Sequence, residues 1–206
     1  MNIRKRELTR MFNKAADYLD RAAGELGDID SRFGDGDHGV TMQKIAGLIR
    51  RETEGWDHAG IKEFIELVGN GVMAIGGGSA GPLYGTLIGG LAFDLDEEPE
   101  IDGPTLKKML SRALAEMEDI TTARRGDKTM MDALIPAVEA ALATDGDCAA
   151  ILAAAAGAAE EGAEATKEFV SKFGRAKSYK EETLGTVDAG AKSTSILFRG
   201  LADGLK

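Results

Sequence analysis

The chain has 206 residues, 43% hydrophobic and 29% charged, which is enough for a proper core and is expected to fold as one domain over 1–206. A net charge of −10 excludes the basic face that nucleic-acid binding needs. A single cysteine, Cys148, excludes an intramolecular disulfide, and no apolar run reaches the ~18 residues of a membrane span, so neither nucleic acid nor membrane is an expected partner.

Aromatics make up only 5% and alanine is abundant, which favours helices over sheets. The basic N-terminal stretch carries no apolar signal region, so the expected location is cytoplasmic. From residue 4 to 26, Leu8, Met11, Phe12, Ala15, Leu19, Ala22, Ala23 and Leu26 recur at i, i+3, i+4 spacing. That predicts an amphipathic helix, with Gly27 as its stop. The stretch DIDSRFGDGDHGVT (28–41) follows as a loop, and a second helix is expected from His38 to about Glu54. A third covers 59–75, with Ile61, Phe64, Ile65, Val68, Val72 and Ile75 inward.

GGGSAGPLYG (76–85) reads as a loop that starts a fourth helix over 80–93, since Pro82 fits a first turn. Gly85, Gly89 and Gly90 suggest close packing of that helix on a neighbour. Pro104 opens a fifth helix, with Leu106, Met109, Leu110, Ala113, Leu114, Met117 and Ile120 on one face. RRGDKTMMDALIPAVEAAL holds a loop and a sixth helix, which Pro136 should kink. An Ala-rich seventh helix spans about 146–171, a polar loop 173–189, and an eighth helix ends near Leu205. The sum is an all-α fold of eight helices with no strand, no internal repeat and no dividing linker.

Four aspartates crowd the loop at 28–41, and like charges so close repel unless a cation or solvent separates them. Asp30, Asp35 and Asp37 form D-x4-D-x-D, with Gly34, Gly36 and Gly39 allowing tight turns that let the three carboxylates converge. Hard oxygen donors on a flexible backbone suit Mg2+ or Ca2+ rather than Zn2+. The EF-hand pattern fails, because Arg32 occupies the next alternate position after Asp28 and Asp30 and no Glu stands at position twelve. The plainer account, a solvated turn with an Asp N-cap, suits one aspartate better than three. His38 beside them is a base, a phosphate contact or a cap; His58 lies in a polar linker and is expected to be exposed.

The glycine loop contains G-x-G-x-x-G at Gly76, Gly78 and Gly81, but no strand precedes it and a dinucleotide fold is not expected. Two accounts remain: an anion site built from the backbone N–H groups of the glycine loop and Ser79 at a helix N-terminus, or helix packing through glycine. In GDKTMMDAL (126–134), Asp127 and Thr129 read as helix starters and the methionines as core. Arg175 in a polar loop is a phosphate-ligand candidate, and Asp188 with Gly190 opens the last helix. Cys148 reads as a small buried hydrophobe. The starts at 35–39, 76–81, 126–130 and 186–191 each carry Gly with Asp or Ser. Brought to one end, their dipoles and N–H groups would face one pocket beside a carboxylate clamp, which is what a nucleotide requires. Three carboxylates and ATP sum to roughly −7; two Mg2+ offset about 4, and the helix starts and Arg175 much of the rest.

GDGDHG (34–39), GGGSAGPLYG (76–85), GDKTMMDAL (126–134) and GRAKSY…TVDAGA (174–191), in this order, resemble the nucleotide-binding L subunit of dihydroxyacetone kinase over nearly the whole chain. The resemblance implies an eight-helix antiparallel barrel with the nucleotide at one end. It implies that Asp30, Asp35 and Asp37 hold two Mg2+ ions bridging the phosphates of ADP or ATP. His38, Gly39 and Thr41, with Gly78, Ser79 and Ala80, would contact phosphates or ribose, and Leu83 and Met130 would flank the adenine. Thr121 and Gly126 would border the nucleotide, and Arg175 with Asp188, Ala189 and Gly190 would close the pocket. The ketose, held covalently on a histidine, would belong to a separate K subunit, so no catalytic residue is assigned in this chain.

The chain departs from the family pattern at Ala189 (usually Pro), Lys177 (usually small) and Thr121 (expected Gly), which fits a relative acting on another small ketose such as a tetrulose. The expected activity is therefore that of a kinase subunit, with the phosphoryl group coming from ATP or through a phosphoenolpyruvate-driven relay protein. The alternative is a regulatory module that reports its nucleotide state to a protein partner.

Overall fold

The computed structural model describes residues 1–57, 60–76, 78–97 and 99–206, so His58 and Gly77 lie outside the described residues. Its helices are α1 (Lys5–Asp30), α2 (His38–Glu54), α3 (Ile61–Met73), α4 (Ala80–Gly90), α5 (Gly103–Ile120), α6 (Met131–Ala143), α7 (Cys148–Ala165) and α8 (Ala189–Leu205). Each packs on its chain neighbours, and α8 closes back onto α1, so the eight form an antiparallel ring. Alternation of direction has one consequence for function: α2, α4, α6 and α8 all begin at the same end.

The apolar faces read from the sequence are buried, except that Ile120 at the end of α5 is exposed and Ala22, Ile75 and Leu114 are only partly buried. Leu8, Met11, Phe12, Ala15, Leu19, Ala23 and Leu26 of α1 are all under 9% exposed and pack inside the ring. Trp56 stacks on Phe64 with centroids 3.9 Å apart, and Phe12 meets Phe64 edge-on at 5.5 Å. The glycines of α4 are where backbones touch: a Cβ on Gly85 would lie 2.6 Å from the Met73 backbone of α3.

Several boundaries differ from the sequence expectation. Gly27 does not stop α1; it is not in a left-handed conformation, and the helix runs on until Ser31 closes it, donating from its N–H to the Gly27 carbonyl at 2.9 Å. The extra turn makes Asp30 the last helical residue. Helix α4 ends at Gly90 rather than 93, and α7 gives way at Thr166 to a 3-10 turn (Thr166–Glu168). The polar loop contains 3-10 turns over Arg175–Thr183, broken at Lys180 with φ 48°. Pro136 lies inside α6, which is assigned as one helix. Its missing N–H leaves the Asp132 carbonyl without the usual helical donor, and that oxygen lies against Gly162 of α7, where a Cβ would come within 2.1 Å.

The sequence also predicted no strand. A minimal antiparallel pair exists, β1 (Ile3–Arg4) with β2 (Glu100–Ile101), Ile3 opposite Ile101. Two residues are too few for alternation to register, and the pair is held by burial of both isoleucines. Among the described residues, no helix is long and apolar enough to cross a membrane.

Candidate functional site

The C-terminus of α1 and the loop into α2 bring three carboxylates together. Asp30, Asp35 and Asp37 each present an oxygen within 4.8 Å of the others. Gly34 is the reason the loop can fold over Asp30: its N–H donates to the Asp30 carbonyl at 2.6 Å, and a Cβ would lie 2.2 Å from Asp30 Oδ1. Gly36 turns at φ 76°, a conformation open to glycine. Asp30 Oδ2 also accepts the His38 N–H at 3.4 Å, which sets the carboxylate against the positive start of α2. Arg175, the first residue of the 3-10 segment, pairs its guanidinium with Asp35, and Tyr179 of the same segment rests on Phe33, ring centroids 5.1 Å apart. Hard oxygen donors in this number and spacing fit Mg2+. Asp28, exposed on α1, is outside the set.

Beside the carboxylates lies a cavity of about 660 Å³ at the end where the even-numbered helices begin. Asp30, Asp35, Asp37 and His38 form one side. Gly78, Ser79, Ala80 and Leu83 come from the start of α4, and Ser79 holds the N-cap position without a side-chain cap bond. Thr121 enters from the C-terminus of α5 and Met130 from the start of α6. Arg175 and Asp188, Ala189 and Gly190 complete the wall. All four glycine-bearing helix starts singled out in the sequence thus contribute to one cavity, so four positive helix ends face it.

Three of the sequence candidates are not in that wall. Gly39 and Thr41 are on the buried face of α2, where Gly39 packs on the backbone of Ala23. Gly126 turns at φ 91° and donates its N–H to Asp132 Oδ1 at 2.5 Å. Asp127 does not start α6 either: it accepts the Arg124 N–H at 2.7 Å and pairs with Lys172 at 2.6 Å. A second, more open groove of about 410 Å³ between α1, α7 and α8 holds none of the motif residues.

Two buried polar arrangements support the wall. His38 Nε2 lies 2.8 Å from Ser193 Oγ, which lies 2.7 Å from the Tyr84 hydroxyl; that hydroxyl is also 3.0 Å from Thr194 Oγ1. The chain ties the starts of α2 and α4 to α8. Burial pushes the Tyr84 hydroxyl up to about 12 and keeps the His38 imidazole below its usual value despite Asp30 and Asp37. The second arrangement is Lys128, whose ammonium donates to the carbonyls of Thr166 at 2.7 Å and Thr186 at 2.5 Å. Asp188 caps α8 by accepting the Ala191 N–H at 2.8 Å, and burial pushes its carboxyl up to about 6. Asp132 is likewise raised by burial.

Tyr84, Lys128 and Ser193 were not among the residues singled out from the sequence, although Tyr84 and Lys128 stand inside motifs and Ser193 stands two residues beyond one. For Tyr84 and Ser193 the signal was a polar side chain at a position the helical pattern turns inward, visible once the α4 and α8 faces are known; Lys128 stands in a loop and gave no such signal.

A family model described as DAK2 domain matches residues 32–203. The D-erythrulose kinase of Mycolicibacterium smegmatis is 34% identical over 203 residues, covering 96% of this chain and 35% of that protein. The ADP-binding subunit DhaL of PEP-dependent dihydroxyacetone kinase 1 from Listeria innocua is 29% identical over 192 residues, covering 93% of this chain and 92% of that one. The crystal structure of the C. freundii dihydroxyacetone kinase in its native form superposes with a TM-score of 0.73 at 26% identity, covering 95% of this chain and 34% of that one. The structure of that kinase in complex with AMP-PNP and Mg2+ gives 0.70 at 25% identity, covering 95% of this chain and 33% of that one. The chain therefore spans about a third of the erythrulose and dihydroxyacetone kinases it matches, and nearly all of the DhaL subunit.

Proposed function

The chain belongs to the DAK2 domain family, of the DhaL type, and on that premise we propose that it is the nucleotide-binding module of a kinase for a small ketose. Residues 1–206 act as one domain that carries the nucleotide with Mg2+ and passes the γ-phosphoryl group of ATP, taken up as ATP or rebuilt on bound ADP, to a hydroxyl of dihydroxyacetone or a related tetrulose, leaving ADP. The acceptor sits on a separate K-type subunit, so this chain supplies nucleotide and charge rather than sugar specificity.

The observation that carries the proposal is the meeting of the three carboxylates with the four helix starts around one cavity. Asp30, Asp35 and Asp37 would hold Mg2+, which when bound would offset phosphate charge and align the transferred group. Ser79, Ala80 and the Asp188–Gly190 turn receive phosphate oxygens on helix N-termini, where N–H groups and dipole favour anions. Leu83 and Met130 supply the apolar surface for the base. Arg175 brings a permanent charge to the same end, and His38 is held in orientation by Ser193. Little covalent chemistry is asked of such a module; positioning and electrostatics supply the rate.

The test is reconstitution: the purified chain with a K-type subunit, assayed for ketose phosphorylation with dihydroxyacetone and erythrulose. Phosphorylation in the pair and in neither alone supports the proposal; nucleotide binding without transfer to any small ketose overturns the kinase assignment. The donor is read from ADP exchange. Fast exchange with free ATP marks direct use of ATP, whereas ADP that stays bound marks a cofactor recharged by a phosphoenolpyruvate-driven protein, in keeping with the PEP dependence in the DhaL relative's name.

A further inference from the structure

Lys128 is the one lysine that is buried among the described residues, 4% exposed, and it reaches the cavity wall from the loop before α6. Its backbone is left-handed at φ 60°, a conformation that a residue with a side chain keeps only where its surroundings enforce it. The surroundings here are two carbonyls. Thr166 caps the C-terminus of α7, a negative helix end, and Thr186 stands two residues before the cap of α8; the ammonium donates to both. Thr166 is used twice, since its hydroxyl oxygen accepts the Asp188 N–H at 2.9 Å. Two carboxylates, Asp188 and Asp132, interact with the same ammonium.

From this junction we infer that Lys128 is the positioning residue for the first turn of α8, its ammonium clamping Thr186 to Thr166 so that Asp188–Gly190 stay against the cavity. A neutral side chain of similar length would leave both carbonyls without their donor and the two carboxylates without their counter-charge. The turn would then separate from α7, and phosphate oxygens would meet a mobile helix start. That last consequence rests on the function proposed above; the clamp itself does not.

Lys128→Met keeps most of the apolar stem and loses the donors. Lys128→Gly also removes the stem, relieves the left-handed backbone, and leaves room for n-propylammonium. Hydrogen exchange on the full chain without nucleotide is expected to rise at least ~10-fold over residues 186–191 in both variants, with 8–19 of α1 unchanged. Binding of Mg·ADP is expected to weaken by about 10-fold or more in both. Added n-propylammonium is expected to restore exchange protection and affinity in Lys128→Gly and to do nothing for Lys128→Met. Unchanged exchange in either variant overturns the clamp, and so does failure of the amine to rescue. If neither variant folds, Lys128 is a folding residue and the inference is wrong. A wild-type chain that does not bind Mg·ADP overturns the proposed function instead, and leaves the exchange result to decide the clamp.

Discussion

Arg175 reaches from the 3-10 segment to pair with Asp35, so one of the three clustered carboxylates already faces a protein cation. The pair is open to solvent, 66% and 39% exposed at the side chains, and such pairs contribute about 0–1 kcal/mol to stability. Its significance is competition: guanidinium and Mg2+ favour the same oxygens. Arg175→Ala is expected to leave the melting temperature nearly unchanged. Calorimetric titration with Mg2+ and no nucleotide is expected to show binding tightened about fivefold, the ~1 kcal/mol a unit charge exerts at ~4 Å in water. Mg·ADP is expected to bind more weakly, because the same charge then serves the phosphates. Weaker Mg2+ binding in the variant would mean that Arg175 and the cation do not share Asp35.

The carboxylate cluster itself gives opposite signs for stability and binding. Asp30, Asp35 and Asp37 repel one another at this spacing, so Asp35→Asn is expected to raise the melting temperature slightly in EDTA. In Mg2+ the same variant is expected to lose roughly tenfold or more in ADP affinity, at about 1.4 kcal/mol per tenfold. Binding curves for wild type and variant, each with Mg2+ and with EDTA, decide the matter; equal affinity in all four conditions would remove the metal from the site.

Gly34→Ala tests whether the loop, rather than its charge, makes the cluster. A Cβ there would meet Asp30 Oδ1 at 2.2 Å and the Asp30 carbonyl at 2.9 Å. The carboxylate end of Asp30 must swing away, while the core of α1 is untouched. The helical circular dichroism is expected to match wild type, with Mg2+-dependent nucleotide binding lowered as far as in Asp35→Asn. Retention of full Mg2+ dependence would show that the loop adjusts without moving Asp30.

The sequence carries the helices because their signal is local. Leu8, Met11, Phe12, Ala15, Leu19, Ala23 and Leu26 repeat with the helical period, and each of those side chains is inside. The triad is legible for a similar reason, since aspartates separated by glycines over a few positions restrict what the loop can do. Boundaries are less legible. Gly27 looks like a stop, but a glycine ends a helix only by turning left-handed, and whether it does so depends on Ser31 capping further on. Lys128 is hidden for a different reason: its partners lie 38 and 58 residues away, and a charged residue in a polar loop looks solvated until Thr166 and Thr186 close over it. Gly39 and Thr41 show the converse, because membership of a motif at a helix start does not say which face of the helix a residue occupies.

The hydroxyl chain predicts a cost that is not confined to one helix. Tyr84→Phe keeps the ring and removes the hydroxyl that lies 2.7 Å from Ser193 Oγ and 3.0 Å from Thr194 Oγ1. Loss of one buried partner costs about 1–3 kcal/mol where the remaining groups stay unsatisfied. Here Ser193 retains the carbonyls of Ala189 at 2.9 Å and Gly190 at 3.1 Å, so the low end is expected. Ser193→Ala is the sharper change, because it takes away the partner of His38 Nε2. Urea denaturation is expected to rank Ser193→Ala below Tyr84→Phe, and the reverse order would mean that His38 finds another partner.

Asp188 gives the pH dependence. Burial raises its carboxyl to about 6 from an ordinary 3.8, with Asp132 adding to the rise and the Ala191 N–H and Lys128 opposing it. A carboxyl whose folded value lies above its unfolded value binds more protons when folded, so stability falls as pH rises between about 4 and 6, and the full cost is present above 6. At roughly 1.4 kcal/mol per unit, the cost is at most about 3 kcal/mol, lowered by the part of the side chain that water reaches. Asparagine caps a helix nearly as well as aspartate and does not titrate in this range. Asp188→Asn is therefore expected to be more stable than wild type at pH 7, with the advantage shrinking through pH 5 and gone by pH 3.5. Denaturation midpoints measured across that range give the answer: parallel curves for the two proteins would mean that the fold does not raise the Asp188 carboxyl above its ordinary value.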